Sequence, residues 1–279
     1  MIIKIDSKDA KNLIPKRSKL SSKIDGGKVL IVAGGAGLHG AGILSALAAT
    51  RSGAGYTHLM TDLVKYPWVK FPDFILHKFS LTELKKNSKD VIAMGPGLGT
   101  AESKKKLLRF LIKSKIEKVV LDADALTMLS TMKVKQLPST WILTPHEGEL
   151  ARLLGVTSTS VKKKRVEHLI MAQKKFGCVV LLKGAESLIS DGKRIQKVSN
   201  GTVALAKAGT GDVLLGMIAA FYAQGLNQVE ATVLGTFIHG QASADWMKKG
   251  NDHLSLRPMD LIEQIPKTIF KLRGNVVKV

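Results

Sequence analysis

The densest chemistry in this chain sits in Ala208-Gly209-Thr210-Gly211-Asp212, followed at once by the apolar run VLLGMIAAF. Gly209 and Gly211 let the backbone turn tightly with its N–H groups exposed. A helix beginning there aims its positive end at whatever occupies the turn, which makes the turn an anion site. Asp212 falls in the first helical turn, where a carboxylate serves either as a cap or as a base aimed at a hydroxyl beside a phosphate. On this motif alone, ordinary capping is the favoured explanation. Other residues along the chain reverse that balance.

Lys183 ends the apolar run Cys178–Leu182 and is followed by Gly184. Its ammonium could stand against a phosphate, the plain alternative being a lysine that snorkels to the surface. Asp122 and Asp124 have side chains on opposite sides of an extended backbone, so at most one faces a crevice unless the chain turns between them. Their alternative role is to cap the segment Ala125–Leu129. His146 and Glu149 are three apart and share a face if a helix begins at Pro145. An imidazole with a carboxylate beside it can orient a polar group or a hydrated Mg²⁺. Otherwise Thr144 caps that helix and Glu149 complements its dipole. No Walker A sequence is present, so phosphates are not held in a P-loop. Gly35-Ala-Gly37-Leu-His-Gly40 does fit the dinucleotide fingerprint, with Asp62 22 residues beyond Gly40. By local rules that is a Rossmann dehydrogenase, but such an enzyme leaves every later motif without a role.

The elements that must position these residues alternate between strand and helix. Strands are expected at Lys28–Ala33, Tyr56–Met60, Phe74–Lys78, Val91–Met94, Val119–Leu121, Trp141–Leu143 and Cys178–Leu182. Leu188–Ser190 and Arg194–Val198 flank Asp191-Gly192, a type I′ hairpin signal. A small-residue helix runs from about Ala41 to Arg51, and a basic amphipathic helix follows Gly99. From Asp212 onward the chain is nearly all helix, with Val229–Lys248 and Pro258–Leu272 as the last two. This alternation implies an α/β fold, a parallel sheet with helices on both faces. Polar and glycine motifs recur after Ala33, Met94, Leu121, Leu143 and Leu182, at the C-terminal ends of strands. In open α/β sheets the ligand crevice lies outside those ends. Motifs scattered over much of the chain therefore converge on one site, and that convergence points to an enzyme. With no internal repeat or linker, residues 1–279 read as one domain, the first 25 or so forming a preceding helix or a loose arm.

The 279 residues are 45% hydrophobic with 26 glycines, normal for a packed α/β protein and too apolar for a disordered one. A lone cysteine, Cys178, in an apolar run points to a reducing compartment. The basic N-terminus lacks an apolar h-region, and the longest apolar segment, Val213 to Ala223, is too short to cross a bilayer. A cytoplasmic protein with no membrane partner is expected. Lysine and arginine total 43 against 22 acidic residues, a formal +21 that raises the prospect of a nucleic-acid or phosphate-rich partner. The basic runs argue otherwise. Lys104 to Lys106 and Lys162 to Arg165 fall in helical patterns opposite Leu107, Leu108, Leu111 and Val166, Leu169, Ile170, as solvated outer faces do. No aromatic residues are interleaved, as a single-strand binder needs. The charge reads as a surface property that helps attract anionic substrates, and no nucleic-acid partner is expected.

The ordered set GGAGLHGAGILSALAATRSGAG (34–55), GPGLGT (95–100), LDADAL (121–126), LTPHEGELARLLG (143–155), LLKGAESLISDG (181–192) and AGTGDVLLGMIAAFYAQG (208–225) resembles the NAD(P)H-hydrate dehydratase family of the ribokinase-like superfamily. The resemblance covers nearly the whole chain from about residue 26. It implies a ribokinase-like α/β fold and an ADP- or ATP-dependent repair enzyme that returns the hydrated cofactors NADHX and NADPHX to NADH and NADPH. In that family the nucleotide phosphorylates the ring hydroxyl and phosphate elimination follows.

Carried onto this chain, the resemblance makes Asp212 the base on the substrate hydroxyl, with Gly209, Thr210 and Gly211 as the anion hole for the transferring phosphate. Lys183, Gly184, Ala185, Glu186 and Ser187 match the segment that holds the nucleotide, together with Gly211. Ala41, Gly97 and Gly99 match positions that touch the hydrated dinucleotide, and His146 matches the histidine of the family's Thr-Pro-His motif. Glu149 and Asp122 resemble acidic positions near Mg²⁺ and phosphate. The chain departs from the family's pattern at Leu38 and His39 in the first loop, at Asn200-Gly201-Thr202-Val203, and at Lys207, and these departures are expected to bear on the substrate pocket. A homo-oligomer, a tetramer by the resemblance, is implied. Many bacterial members carry an epimerase domain fused at the N-terminus, so an epimerase, if the host has one, is expected to be a separate protein. A ribokinase-like kinase of a small hydroxylated metabolite is the second reading, and a non-catalytic nucleic-acid or nucleotide-binding protein the third.

Overall fold

A computed structural model describes residues 1–62, 73–114 and 116–274. The chain opens with strand β1 (Ile2–Lys4) and helix α1 (Ser7–Leu13), followed by β2 (Lys28–Val32), α2 (His39–Arg51), β3 (Tyr56–Met60) and β4 (Ile75–His77). Next come α3 (Leu81–Lys86), β5 (Val91–Met94), α4 (Glu102–Lys113), β6 (Val119–Leu121), α5 (Ala123–Ser130) and β7 (Ile142–Leu143). The middle of the chain is α6 (Glu147–Leu154), α7 (Ser158–Lys163), α8 (Arg165–Phe176) and β8 (Val179–Leu182). A hairpin, β9 (Ser187–Ser190) and β10 (Ile195–Val198), leads to three long helices, α9 (Thr210–Ala223), α10 (Gln228–Met247) and α11 (Pro258–Arg273).

The ten strands among the described residues form one sheet in the order β1-β10-β9-β8-β7-β6-β5-β2-β3-β4. Pairing is parallel except where β9 meets β8 and β10. The central strands β2, β5, β6, β7 and β8 are nearly continuous apolar runs because both faces are covered. Along β2, Val29 and Ile31 join one core while Leu30 and Val32 join the other, the period of two that a pleated strand imposes. Val179 and Leu181 against Val180 and Leu182 repeat the pattern on β8. The first core packs beneath α1, α2, α9, α10 and α11, the second beneath α3 to α8. Helix α9 is buried on nearly every side between the sheet, α2 and α10, which explains its unbroken apolar composition.

Two local expectations are corrected. The N-terminal segment does contain a helix, α1, capped by Asp6 and Asp9 in a reciprocal box. Ahead of it, however, Ile2–Lys4 adds an edge strand parallel to β10. The β9–β10 connection is not a two-residue type I′ turn. It has four residues, and Asp191 Oδ1 accepts from the N–H groups of Lys193 and Arg194 at 2.9 Å each, an Asx-type closure. No helix among the described residues is long and apolar enough to cross a membrane.

Candidate functional site

Strands β8, β7, β6, β5 and β2 are consecutive neighbours and all parallel, so their C-terminal ends line up along one edge. That edge carries Lys183, Pro145-His146, Asp122, the loop 95–99 and the loop 34–38. The sheet order thus brings together the motifs that the sequence places at strand ends. The N-terminus of α9, with Gly209 as its N-cap, faces the same edge.

Lys183 occupies the centre. Its backbone N–H donates to Pro145 O at 2.9 Å, tying the end of β8 to that of β7. Its Nζ lies 2.6 Å from Asp122 Oδ1 and 3.7 Å from Glu149 Oε2. Burial on its own would depress this ammonium, but the two carboxylates outweigh it and hold Lys183 above the ordinary lysine range. Lys183 is therefore not a snorkelling surface residue.

Asp122 and Asp124 both reach the site because the chain does turn between them. Ala123 has φ +47°, and no other non-glycine among the described residues has a positive φ. Asp122 stands at the N-cap of α5 but makes no capping hydrogen bond, its carboxylate being committed to Lys183. Asp124 Oδ2 accepts from Gly99 N–H at 2.8 Å. Asp212 feels both aspartates. Burial first, then the nearby charge of Asp122 and Asp124, pushes its pKa up to about 6, with Lys183 pulling the other way. A carboxylate so tuned can take a proton from an alcohol near neutral pH.

His146 and Glu149 form a capping box at the start of α6. His146 Nδ1 accepts from Gly148 N–H at 3.0 Å and Glu149 N–H at 3.4 Å, while Glu149 Oε2 accepts from His146 N–H at 2.8 Å. The helix begins at Glu147 rather than Pro145, and His146 itself is the cap, not Thr144, whose hydroxyl donates to Leu121 O. With Nδ1 an acceptor, the neutral ring carries its proton on Nε2, and the half-exposed imidazole can offer that proton to a ligand.

The loops after β2 and β5 interlock. Gly34 N–H donates to Pro96 O at 2.9 Å and Gly35 N–H to Gly97 O at 2.6 Å. A Cβ on Gly97 would lie 3.0 Å from that of Ala41 and 2.9 Å from that of Leu38, so Ala41, Gly97 and the first loop form one surface. The dehydrogenase alternative fails here. Asp62, its required ribose ligand, is paired instead with Lys104 at 3.1 Å. Lys104 is buried under Phe79 rather than on a solvated face, a correction to the surface reading of that basic run.

Beside Lys183 opens a cavity of about 440 Å³. Gly184, Ala185, Ser187, Thr210 and Gly211 line it, with Val198, Val203, Leu205 and Leu214 as apolar walls. Glu186 does not line it. That side chain points away to Lys197 at 2.8 Å. Asn200, Gly201, Thr202 and Val203, expected at the substrate pocket, line this cavity too. Two contributors escaped the sequence reading. Buried His239 bonds Thr210 O across 2.9 Å, a contact between α10 and the turn 29 residues upstream that no local signal announces. Arg165, read as part of a solvated run, donates to Leu182 O, Lys183 O and Glu186 O and pairs with Glu147.

Among the described residues no group of three or more His, Cys, Asp or Glu could cage a metal ion. Mg²⁺ in phosphate chemistry needs only one or two carboxylates, the rest of its shell being water and phosphate. Asp122 and Glu149 fit that demand, because acidic groups outnumber Lys183 at the site.

Residues 29–267 match the family model described as NAD(P)H-hydrate dehydratase. A bifunctional NAD(P)H-hydrate repair enzyme of Vibrio cholerae is 36% identical over 269 residues, covering 95% of this chain and 54% of that protein. The chain thus spans about half the length of the curated relatives it matches. Among solved structures, a ribokinase-like superfamily protein of Enterococcus faecalis superposes with a TM-score of 0.87 at 25% identity, covering 97% of this chain and 96% of that one. An ADP/ATP-dependent NAD(P)H-hydrate dehydratase of Bacillus subtilis, co-crystallised with ATP and Mg²⁺, does so with a TM-score of 0.84 at 27% identity, covering 96% and 97%.

Proposed function

The chain belongs to the NAD(P)H-hydrate dehydratase family, and on that premise we propose that it repairs hydrated NADH and NADPH at the expense of an adenine nucleotide. The observation that carries this reading is Asp212, raised to about 6 at the N-terminus of α9 and electrostatically coupled to Lys183, Asp122 and Asp124.

The cavity beside Lys183 takes the nucleotide. Its apolar walls suit a purine face, and Lys183, Thr210 and Gly211 in its lining supply the ammonium and the helix-terminal N–H groups that phosphates need. The hydrated nicotinamide lies across Asp212, over Gly97, Gly99 and Ala41, within reach of His146. Asp212 accepts the ring hydroxyl's proton as that oxygen attacks the terminal phosphorus. The phosphoric anhydride bond breaks and the shortened nucleotide leaves with the electron pair. The ring phosphate ester then loses phosphate, which departs with the C–O electron pair, and loss of a proton from the adjacent carbon restores the double bond. Lys183 and the helix terminus stabilise charge on the transferring group. Mg²⁺ bound near Asp122 and Glu149 would supply charge neutralisation at the phosphates.

Hydrated NADH with ADP or ATP and Mg²⁺, followed at the reduced-nicotinamide absorbance, tests this. Nucleotide-dependent recovery of absorbance is expected. Accumulation of a stable phosphorylated alcohol, with no absorbance gained, would make the protein a small-molecule kinase instead.

A further inference from the structure

His239 lies in the middle of α10, enclosed by the core, with its Nε2 2.9 Å from the carbonyl oxygen of Thr210. A carbonyl only accepts, so Nε2 carries the ring proton and the tautomer is set. Burial pushes the ring's pKa down to about 4, which keeps it neutral at working pH. Its partner is not an arbitrary carbonyl. The Thr210 C=O and the Gly211 N–H belong to one planar trans peptide and point to opposite sides of it, so fixing the direction of one aims the other. The Thr210 hydroxyl donates to Leu205 O at 2.8 Å and Lys207 O at 2.9 Å, which anchors the residues before the turn. His239 supplies the side-chain contact on the peptide that follows. The same imidazole also lines the cavity beside Lys183.

We propose that His239 is a positioning residue, whose Nε2–H holds the Thr210–Gly211 peptide so that the Gly211 N–H stays aimed at the transferring phosphoryl group. The proposal rests on the phosphoryl-transfer reading above. An N–H that must be in place before the charge develops is worth more when it cannot rotate, which is the sense of preorganised electrostatic catalysis. A histidine serving only to fill the core would leave the turn's function untouched when replaced by an apolar residue of similar size.

The test compares His239→Leu, which keeps bulk without a donor, with His239→Gln, whose amide can again donate to Thr210 O. The Leu variant should lose kcat by about 10- to 100-fold, less than removal of an anion-hole donor itself. Its KM for nucleotide should stay within about threefold, because ground-state contacts elsewhere are intact. The Gln variant should recover most of kcat. Equal impairment of Leu and Gln, or wild-type kcat in a folded Leu variant, would overturn the proposal. His239→Met, which packs adaptably, replaces Leu if the latter does not melt cooperatively. A second readout is independent of turnover. ADP binding is measured with and without aluminium fluoride, a mimic of the transferring phosphoryl group. The enhancement by fluoride should shrink at least fivefold in the Leu variant and return in the Gln variant, and an unchanged enhancement overturns the proposal. Should the wild-type protein fail to restore hydrated NADH, the dehydratase reading falls while this binding comparison still decides the role of His239.

Discussion

Lys183 Nζ stands 2.6 Å from Asp122 Oδ1 and 3.7 Å from Glu149 Oε2, joining the ends of β8 and β6 and the head of α6 in one charged cluster. The lysine proposed to meet the phosphates is thus held in place by carboxylates that also need it. Removing it should cost twice. Lys183→Ala should weaken nucleotide binding at least tenfold. It should also lower the melting temperature at neutral pH, because a buried carboxylate that loses its partner is strongly destabilising. Calorimetric titration of the folded variant checks the first effect. Unchanged nucleotide affinity alongside a lowered melting temperature would make Lys183 a structural partner of Asp122 alone.

The basic run at 162–165 divides between Lys164 and Arg165. Lys162 and Lys163 are exposed, Lys164 pairs with Glu167, and Arg165 grips three carbonyls, one at the end of β8 and two in the segment that follows it. Lys162→Gln with Lys163→Gln should leave kcat/KM within a few-fold, any loss fading as salt rises. Arg165→Ala should raise the KM for nucleotide by about tenfold, close to 1.4 kcal/mol, independently of salt. Steady-state kinetics at two ionic strengths separate the two behaviours. A salt-sensitive Arg165→Ala effect would return that arginine to the surface.

The strand ends were legible because glycine and polar motifs interrupt Val- and Ile-rich runs, and parallel pairing then lines those ends up. What stayed hidden depends on contacts distant in sequence. His239 is one histidine within a buried helix, and its partner Thr210 is 29 positions away. Arg165 sits in a lysine run that resembles any solvated face, and Lys104 in another. Ile2–Lys4 is only three residues long, too short for its pattern to announce a strand, so only its edge pairing with β10 makes it one. The joint approach of Asp122 and Asp124 depends on the positive φ of Ala123, a conformation that propensity disfavours for alanine.

Gly97 and Gly99 should respond differently to alanine. Both have positive φ, +54° and +78°, so each substitution carries backbone strain of about 1–3 kcal/mol. At Gly97 the new methyl would also stand 2.9 Å from Leu38 O and 3.0 Å from Ala41 Cβ, whereas nothing lies within 4 Å of one at Gly99. Gly97→Ala should therefore disturb the interlocked loops and raise the KM for the hydrated cofactor more than that for nucleotide. Gly99→Ala should lose stability with a smaller change in either KM. Thermal melts and the two KM values check this, and a dominant nucleotide effect at Gly97 would place that loop at the other half of the site.

Asp212→Asn separates the base from the cap. Asparagine caps nearly as well as aspartate, so a capping role predicts surviving activity. A base role predicts a loss of turnover on the order of 10²–10⁴, with nucleotide affinity little changed. The raised pKa adds two pH signatures. In the wild type, kcat/KM should fall about tenfold per unit as pH drops below about 6, since protonated Asp212 accepts nothing. Stability should run the other way. From the ordinary aspartate value of 3.8 up to about 6, the folded state holds a proton that the unfolded state has released, so the Asp212 contribution favours folding at low pH and is lost as pH rises through 6. Asp212→Asn lacks that loss. Relative to wild type it should melt higher at pH 8, the difference shrinking as pH falls through 6 toward 4. Activity profiles and melting curves from pH 4 to 8 on both proteins read all three effects. A folded Asp212→Asn enzyme that restores hydrated NADH at a near wild-type rate would remove this carboxylate from the chemistry, whatever its effect on stability.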